Sequence, residues 1–405
     1  MTPPGRRILL GAVLLGVVLR LAVALSIPVF PTVANTWDSN FYHESALSLT
    51  RGQGYEFQGQ PTAFFPPAFP VALSGAYRIL DPVARSGQML NVLLSLALCG
   101  ITVLAARSFL GRAAGRWALL IMALEPSQIL MPAFLMSETL CATLLMLLFL
   151  AAWRGAWRGW LWLVVAGLAG AAAGMTRGHG FLLVPLVPLV LFVRDGLPRA
   201  RFVIMLLVLL GVSAGTISLW ATRNQAKLGR AVPVATNGGI NLLLGNNVNA
   251  WGGRAEPPGG VPQTGNEIVD ERIAADRAME FVRRNPGRFV ATLPLKVIRL
   301  WSFGPAVTYR AELRTKLGNT VGWTVTGLAQ ASHFALLILG ALGLYGVARR
   351  GGRAGPAFHL ILGVFAIWTL GHLPFLGGAR YLFPIQPLLV LAAILPAARV
   401  SDNEV

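Results

Sequence analysis

Apolar runs alternate along the chain with short, arginine-bearing loops. A helix needs ~20 apolar residues to cross a bilayer core. On that measure the pattern predicts ten spans, at about 8–27, 88–106, 117–134, 138–152, 160–175, 180–193, 202–221, 323–347, 357–376 and 381–398. Spans five and six are short, and Arg20 interrupts the first near its far end. Two stretches break the rhythm, residues 28–87 and residues 222–322. Within the first, FFPPAFPVALSGAYRIL at 64–80 is apolar, short and led by prolines, which predicts a helix at the membrane interface. Within the second, 266–285 predicts a helix ended by Pro286 and Gly287. Another follows at about 288–302, with Phe289, Leu293, Val297, Ile298 and Trp301 set against Arg288, Lys296 and Arg299, an interfacial amphipathic pattern.

Composition agrees with this reading. The chain has 405 residues, 55% of them hydrophobic and 12% charged, with a mean hydropathy of +0.63. A soluble domain could not hide that much apolar surface, so the fold class is an all-α polytopic membrane protein. The net charge of +18 does not point to nucleic acid, because the arginines are scattered between spans and gather on no soluble face. Alternate short loops hold Arg6/Arg7, Arg107/Arg112/Arg116, Arg154/Arg158, Arg194/Arg199/Arg201, Arg349/Arg350/Arg353 and Arg399. With ten spans all of these fall on one side, which the positive-inside rule makes cytoplasmic. Both termini are then inside, and both long loops are extracytoplasmic. The start MTPPGRR with its apolar run resembles a signal peptide, but the run is long and no clean cleavage site follows, so an uncleaved first span is expected. Cys99 and Cys141 sit in apolar runs and suggest no disulfide framework. Three regions follow: 1–222 as an N-terminal module with the first outer loop, 223–322 as the second outer loop, and 323–405 as the C-terminal spans.

Candidate chemistry concentrates in the outer loops. Asp38 precedes an apolar-periodic segment (Phe41, Ala46, Leu47, Leu49), so it fits a helix cap as well as a general base. Tyr42, His43 and Glu44 lie on the same segment, where His43 is either a proton carrier or a polar interface residue. Glu138 opens span four after Ser137. It serves either the helix N-terminus or a cavity beneath the first loop. Arg177 and Arg380 occupy outer turns against the charge rule. Arginine's planar fork suits a phosphate, while snorkelling to headgroups is the plainer alternative. The 232–253 segment VPVATNGGINLLLGNNVNAWGG has turn-forming glycines and amide side chains, including Asn246 and Asn247, suited to a polar ligand or to an ordinary loop. No Walker A, HExxH or GxSxG motif occurs and no DxD pair, so neither a metal nor a cofactor has sequence support.

Four pieces, in order, carry a resemblance: WDSNFYHESALSLTRGQGYEFQGQPTAFFPPAFPVAL, MSETL, TNGGINLLLGNNVNAWGG with the later FVRRNPGRFVATLPLKVIRLWSF, and GARYLFPIQPLLVLAA. Together they resemble the GT-C glycosyltransferases of the family that includes protein O-mannosyltransferases and lipid A aminoarabinose transferases. The first piece is similar to that family's Asp-x3-Tyr, Gly-x-Gly-Tyr and Pro-Pro-x-x-Pro series. The resemblance implies a GT-C-like helical bundle that transfers a sugar, inverting and without metal, from a polyprenyl-phosphate donor to a lipid, glycan or protein acceptor. Asp38 would be the base or the acceptor-orienting group, and Arg177 and Arg380 would hold the lipid phosphate, with Tyr381 beside them. Some relatives carry two adjacent acids where this chain has Asp38 followed by Ser39. A glycolipid flippase, or a polysaccharide polymerase or ligase, would share the many spans and the large outer loop without needing Asp38.

Overall fold

In hydrocarbon a backbone must satisfy its own hydrogen bonds, so the apolar runs coil. The computed structural model describes residues 3–30, 36–349 and 355–397. Helices α1 (Arg6–Ser26), α4 (Ala84–Leu110), α7 (Glu138–Arg158), α10 (Arg199–Leu228) and α15 (Asn319–Arg349) are long and apolar enough to cross a membrane. Shorter apolar helices follow the remaining predicted spans: α5 (Arg112–Leu124), α8 (Trp160–Gly174), α9 (Leu186–Arg194), α16 (Pro356–His372) and α17 (Gln386–Ala393). The two long segments between spans supply α2 (Thr36–Thr50), α3 (Ala68–Ile79), α11 (Gly238–Gly245), α12 (Glu267–Arg284), α13 (Pro286–Trp301) and α14 (Arg310–Leu317). Arg350, Arg353, Arg399 and the end of the tenth predicted span lie outside the described residues.

Helix α7 is the centre. In its most apolar window 78% of the residues are buried, against 22% in α1 and 17% in α10, so α7 packs inside while the others offer apolar flanks to lipid. Small residues let its neighbour come close. At Gly170 of α8 the missing side chain leaves room for Leu148 of α7 and Val184. Cys99 and Cys141 are buried and free.

The third predicted span is not continuous. Helix α5 stops at Leu124, and α6 (Pro126–Leu130) restarts after an extended Glu125. Pro126 has no N–H to continue the ladder and pushes the preceding residue out of helical conformation. Glu125 caps the new helix, accepting from the Gln128 N–H at 2.8 Å. The carbonyls freed at the end of α5 are met by Arg20 of α1, which donates to Met122 O at 2.7 Å and Ala123 O at 2.8 Å. The same guanidinium reaches Gly16 O and Ser95 Oγ, both at 2.9 Å. The arginine that interrupts the first span is thus the plug of a broken helix. Arg20→Leu is expected to cost about 2–3 kcal/mol, since it strands buried acceptors. A thermal melt in detergent would measure it, and an unchanged midpoint would remove the plug role.

The predicted interfacial helix at 64–80 forms α3, which buries Phe69, Leu73 and Tyr77 and exposes Val71 and Ile79. Before it lies an element the pattern did not show, a hairpin of β1 (Glu56–Phe57) and β2 (Gln60–Pro61). The second long loop builds α11 against α12 around a small cluster of Leu243, Ala274 and Ala278. Helix α13 corrects the predicted amphipathic face. Lys296, grouped by sequence with Arg288 and Arg299 on a polar side, turns inward with Thr292 and Leu300, while Val290 and Ile298 face outward. Partners from other segments make that burial possible.

Candidate active site

The arginine-bearing and acid-bearing ends of α7 lie opposite one another: Arg154 and Arg158 close the helix and Glu138 opens it. At the Glu138 end four segments meet. Helix α2 brings Asp38 in its first turn, α7 brings Glu138, the turn after α8 brings Arg177, and the 3-10 turn Ala379–Ile385 brings Arg380 and Tyr381. Helix ends favour this arrangement. The N-terminus of α7 attracts the carboxylate, and the C-terminus of α8 attracts the cation. Asp38 is not the cap that its sequence position allows. It sits inside the helix, bonded across the site.

The four charges form a chain. An Arg177 amino group lies 2.5 Å from Glu138 Oε1, Arg380 Nε lies 3.8 Å from the same oxygen, and the other arm of Arg380 meets Asp38 Oδ2 at 2.9 Å. None of the Glu138 side chain is exposed. Both guanidinium groups also lie over the Tyr381 ring, at 5.3 and 5.2 Å from its centroid. Burial opposes charge on Arg380, but Tyr381 and Asp38 outweigh it and hold the pKa above its ordinary value. The formal charges cancel, yet the hydrogen bonds do not close: Arg177 Nε, Arg380 Nη1 and Glu138 Oε2 are buried without partners.

A cavity of about 1520 Å³ opens over this chain of charges, lined by Asp38, Tyr42, Arg177, Arg380 and Tyr381 among others. Glu138 lies beneath its lining. Tyr42 is buried, its hydroxyl 3.4 Å from Ser137 Oγ, and burial, reinforced by Asp38, pushes its pKa up. It enters as a neutral phenol.

The other site residues proposed from sequence lie elsewhere. His43 Nδ1 pairs with the Tyr77 hydroxyl at 2.6 Å, and burial lowers its pKa. Glu44 accepts from Asn40 on its own helix at 2.7 Å. Asn246 donates to Leu242 O and Pro374 O, and Asn247 to Leu243 O and Ala255 O. Among the described residues these four lie outside the cavity lining, in the scaffold around it.

That scaffold reaches the site through Lys296. Its ammonium donates to Asn246 Oδ1 at 2.8 Å and to Leu373 O at 2.9 Å, tying α13 to the turn that leads to Arg380. Burial pushes its pKa down to about 8. Unfolded lysine titrates near 10.4, so between about 8 and that value the unfolded chain holds the extra proton. This group's contribution to stability is therefore lowest below pH 8 and rises as pH climbs through that window. Lys296→Met is expected to flatten the rise, read as melting midpoints from pH 7 to 10.5. An identical slope in both proteins would dismiss the lysine.

Several residues lining the cavity escaped the sequence reading. His179 and His372 stack at 4.3 Å with rings 11° apart. His179 Nε2 pairs with Gly371 O and His372 Nδ1 with Trp368 O, both at 2.8 Å, leaving one nitrogen of each as an acceptor. His179 stands near Arg177 in sequence, but nothing in the sequence marks His372 as its partner. Glu267, which reads as an ordinary first-turn acid of α12, accepts from Thr62 Oγ1 at 2.6 Å and from Ala63 N–H at 2.7 Å. It joins the second long loop to the first. Arg223 reinforces the joint, reaching Thr62 O at 2.8 Å and Tyr55 O at 2.6 Å. Among the described residues no group of three or more His, Cys, Asp or Glu side chains is placed to hold a metal ion.

Among solved structures the chain is similar to the Archaeoglobus fulgidus oligosaccharyltransferase, solved with a tethered acceptor peptide containing the NVT sequon. The TM-score is 0.54 at 16% identity, over 96% of this chain and 49% of that one. The chain has the GT-C fold. It spans about half the length of that oligosaccharyltransferase. It is also similar to ArnT from Cupriavidus metallidurans, apo and bound to undecaprenyl phosphate, with TM-scores of 0.44 and 0.43 and identities of 15% and 14%. Each match covers 96% of this chain and 78% of ArnT. No family model matches the sequence, and no curated protein does.

Proposed function

We propose that the chain is a membrane glycosyltransferase that moves a sugar from a polyprenyl-phosphate donor to an acceptor hydroxyl on the extracytoplasmic face. The observation that carries the reading is the chain of charges at the cavity, two carboxylates and two arginines with unspent donors. In the reaction the acceptor oxygen attacks the anomeric carbon while Asp38 takes its proton. The bond from that carbon to the phosphate oxygen breaks, and polyprenyl monophosphate departs. The donor phosphodiester carries one negative charge and the leaving monoester approaches two. Arg177 Nε and Arg380 Nη1, unpartnered at rest, suit the oxygens where that charge develops, and such preorganised donors supply a large share of rate enhancement. Attack from the face opposite the phosphate inverts the anomeric centre.

The same reading sets the chain in the plasma (inner) membrane, both termini cytoplasmic, with the regions 1–222, 223–322 and 323–405 as catalytic module, outer loop and closing spans. The test is release of polyprenyl phosphate by the purified protein, across a panel of polyprenyl-phosphate sugars with envelope extract as acceptor. Release from one donor is expected. No release from any, with folded protein, would turn the assignment toward a glycolipid transporter or a diphosphate-dependent ligase.

A further inference from the structure

Beside Asp38 stands a tryptophan with little reason to be bare. Trp37 lines the cavity with 46% of its surface exposed. Yet its ring is fixed: it meets Phe64 edge-on at 4.7 Å, and Phe41, Phe57 and Phe65 at 5.6–5.7 Å. A rigid indole loses little entropy when a ligand covers it.

The hairpin supports the same site. Its turn is Gln58–Gly59, with φ of 52° and 74°. Gln58 is the non-glycine residue with positive φ among those described. Such a conformation costs on the order of 1–3 kcal/mol and persists where the surroundings hold it. Strand β1 puts Phe57 against Trp37, and the turn and β2 set Gln58 and Gln60 on the cavity wall. Asn237, Asn241 and Gln263 line the same cavity from the second outer loop. Each of these amides offers both donor and acceptor.

An exposed aromatic plate in a cavity whose wall also carries neutral amides is matched to a sugar. The C–H face of a pyranose covers the indole, and the hydroxyls around its edge pair with the amides. We propose that the outer part of the cavity binds the acceptor through a sugar ring stacked on Trp37, which sets an acceptor hydroxyl at Asp38, the next residue. The acceptor is then a glycan or glycolipid headgroup. This rests on the transferase reading above, and its test is a binding measurement that needs no turnover.

The purified full chain, in nanodiscs, is titrated with methyl glycosides of glucose, mannose, galactose and arabinose, and with a serine- and threonine-containing heptapeptide. Tryptophan fluorescence is recorded for the wild type and for Trp37→Phe, whose difference isolates one indole among the eleven. A saturable change with at least one glycoside, absent from Trp37→Phe, is expected. Gln58→Gly, which keeps the turn because glycine accepts positive φ, should weaken it about tenfold. A response to the peptide alone, or to no probe, overturns the proposal. So does quenching of Trp37 by brominated phospholipid with no response to any glycoside, which makes it a membrane anchor. Glycoside binding without polyprenyl phosphate release would keep the sugar site and remove the transferase. Release without glycoside binding would do the reverse.

Discussion

Asp38→Asn should lose sugar transfer by about 10²–10⁴-fold, the usual worth of a positioned general base. The substitution preserves shape. An amide oxygen can still accept from Arg380, now at 2.9 Å from the carboxylate, so the fold should survive. What it removes is the proton acceptor and one negative charge. The kinetic parameters separate the two losses. If Asp38 is the base, kcat falls and the donor KM is retained. If its main task is to aim Arg380, the donor KM rises as well, because Arg380 then keeps a single carboxylate partner, Glu138 at 3.8 Å. Turnover at the wild-type rate would remove Asp38 from the chemistry.

The second large effect is structural. Arg177→Met leaves Glu138, with no exposed side chain, stripped of its partner at 2.5 Å. Removing one member of a buried ion pair costs about 3–5 kcal/mol, and here the desolvated Glu138 keeps only the longer contact to Arg380 at 3.8 Å. Arg380 is too distant to replace the lost hydrogen bond. Glu138→Gln combined with Arg177→Met should regain most of the stability, since no lone charge is left inside. On the proposed transferase reading the double variant should still be inactive, because it lacks the Arg177 donor proposed for the phosphate. Thermal melts of the wild type, both single variants and the double variant give the coupling directly. Additive losses would mean that the pair is not a unit.

The bundle was legible because hydrocarbon permits few answers. Runs of apolar residues had to be helices: five form helices long and apolar enough to cross a membrane, and the rest form shorter helical pieces, the third predicted span being broken at Pro126. That break needed Arg20, on another helix, to make it affordable, so the local pattern could not show it. The site was legible in part, because anomalous charges stand out in an apolar chain. Asp38, Glu138, Arg177 and Arg380 were visible as oddities, but not as partners. Pairing is decided by tertiary approach, and the sequence reading left each arginine free for a phosphate. His43, Glu44, Asn246 and Asn247 lie outside the cavity lining. Polar side chains near a membrane surface serve the scaffold as readily as the chemistry, and composition does not distinguish the two. Lys296 showed the limit of helical periodicity. Its position on α13 implied solvent, and only the acceptors at Asn246 and Leu373 turned it inward.

The Asp38–Arg380 pair joins the first outer loop to the last span. During synthesis Asp38 emerges early and waits for nearly all of the remaining chain before its partner exists. Glu267 reaches back to Thr62 in the same way. The charge arrangement is therefore assembled last, once every intervening span has been threaded in the right sense. A single inverted helix would put Arg380 on the wrong side of the bilayer and leave Asp38 unanswered. The Asp38–Arg380 contact therefore forms only after the spans between its two ends are in place.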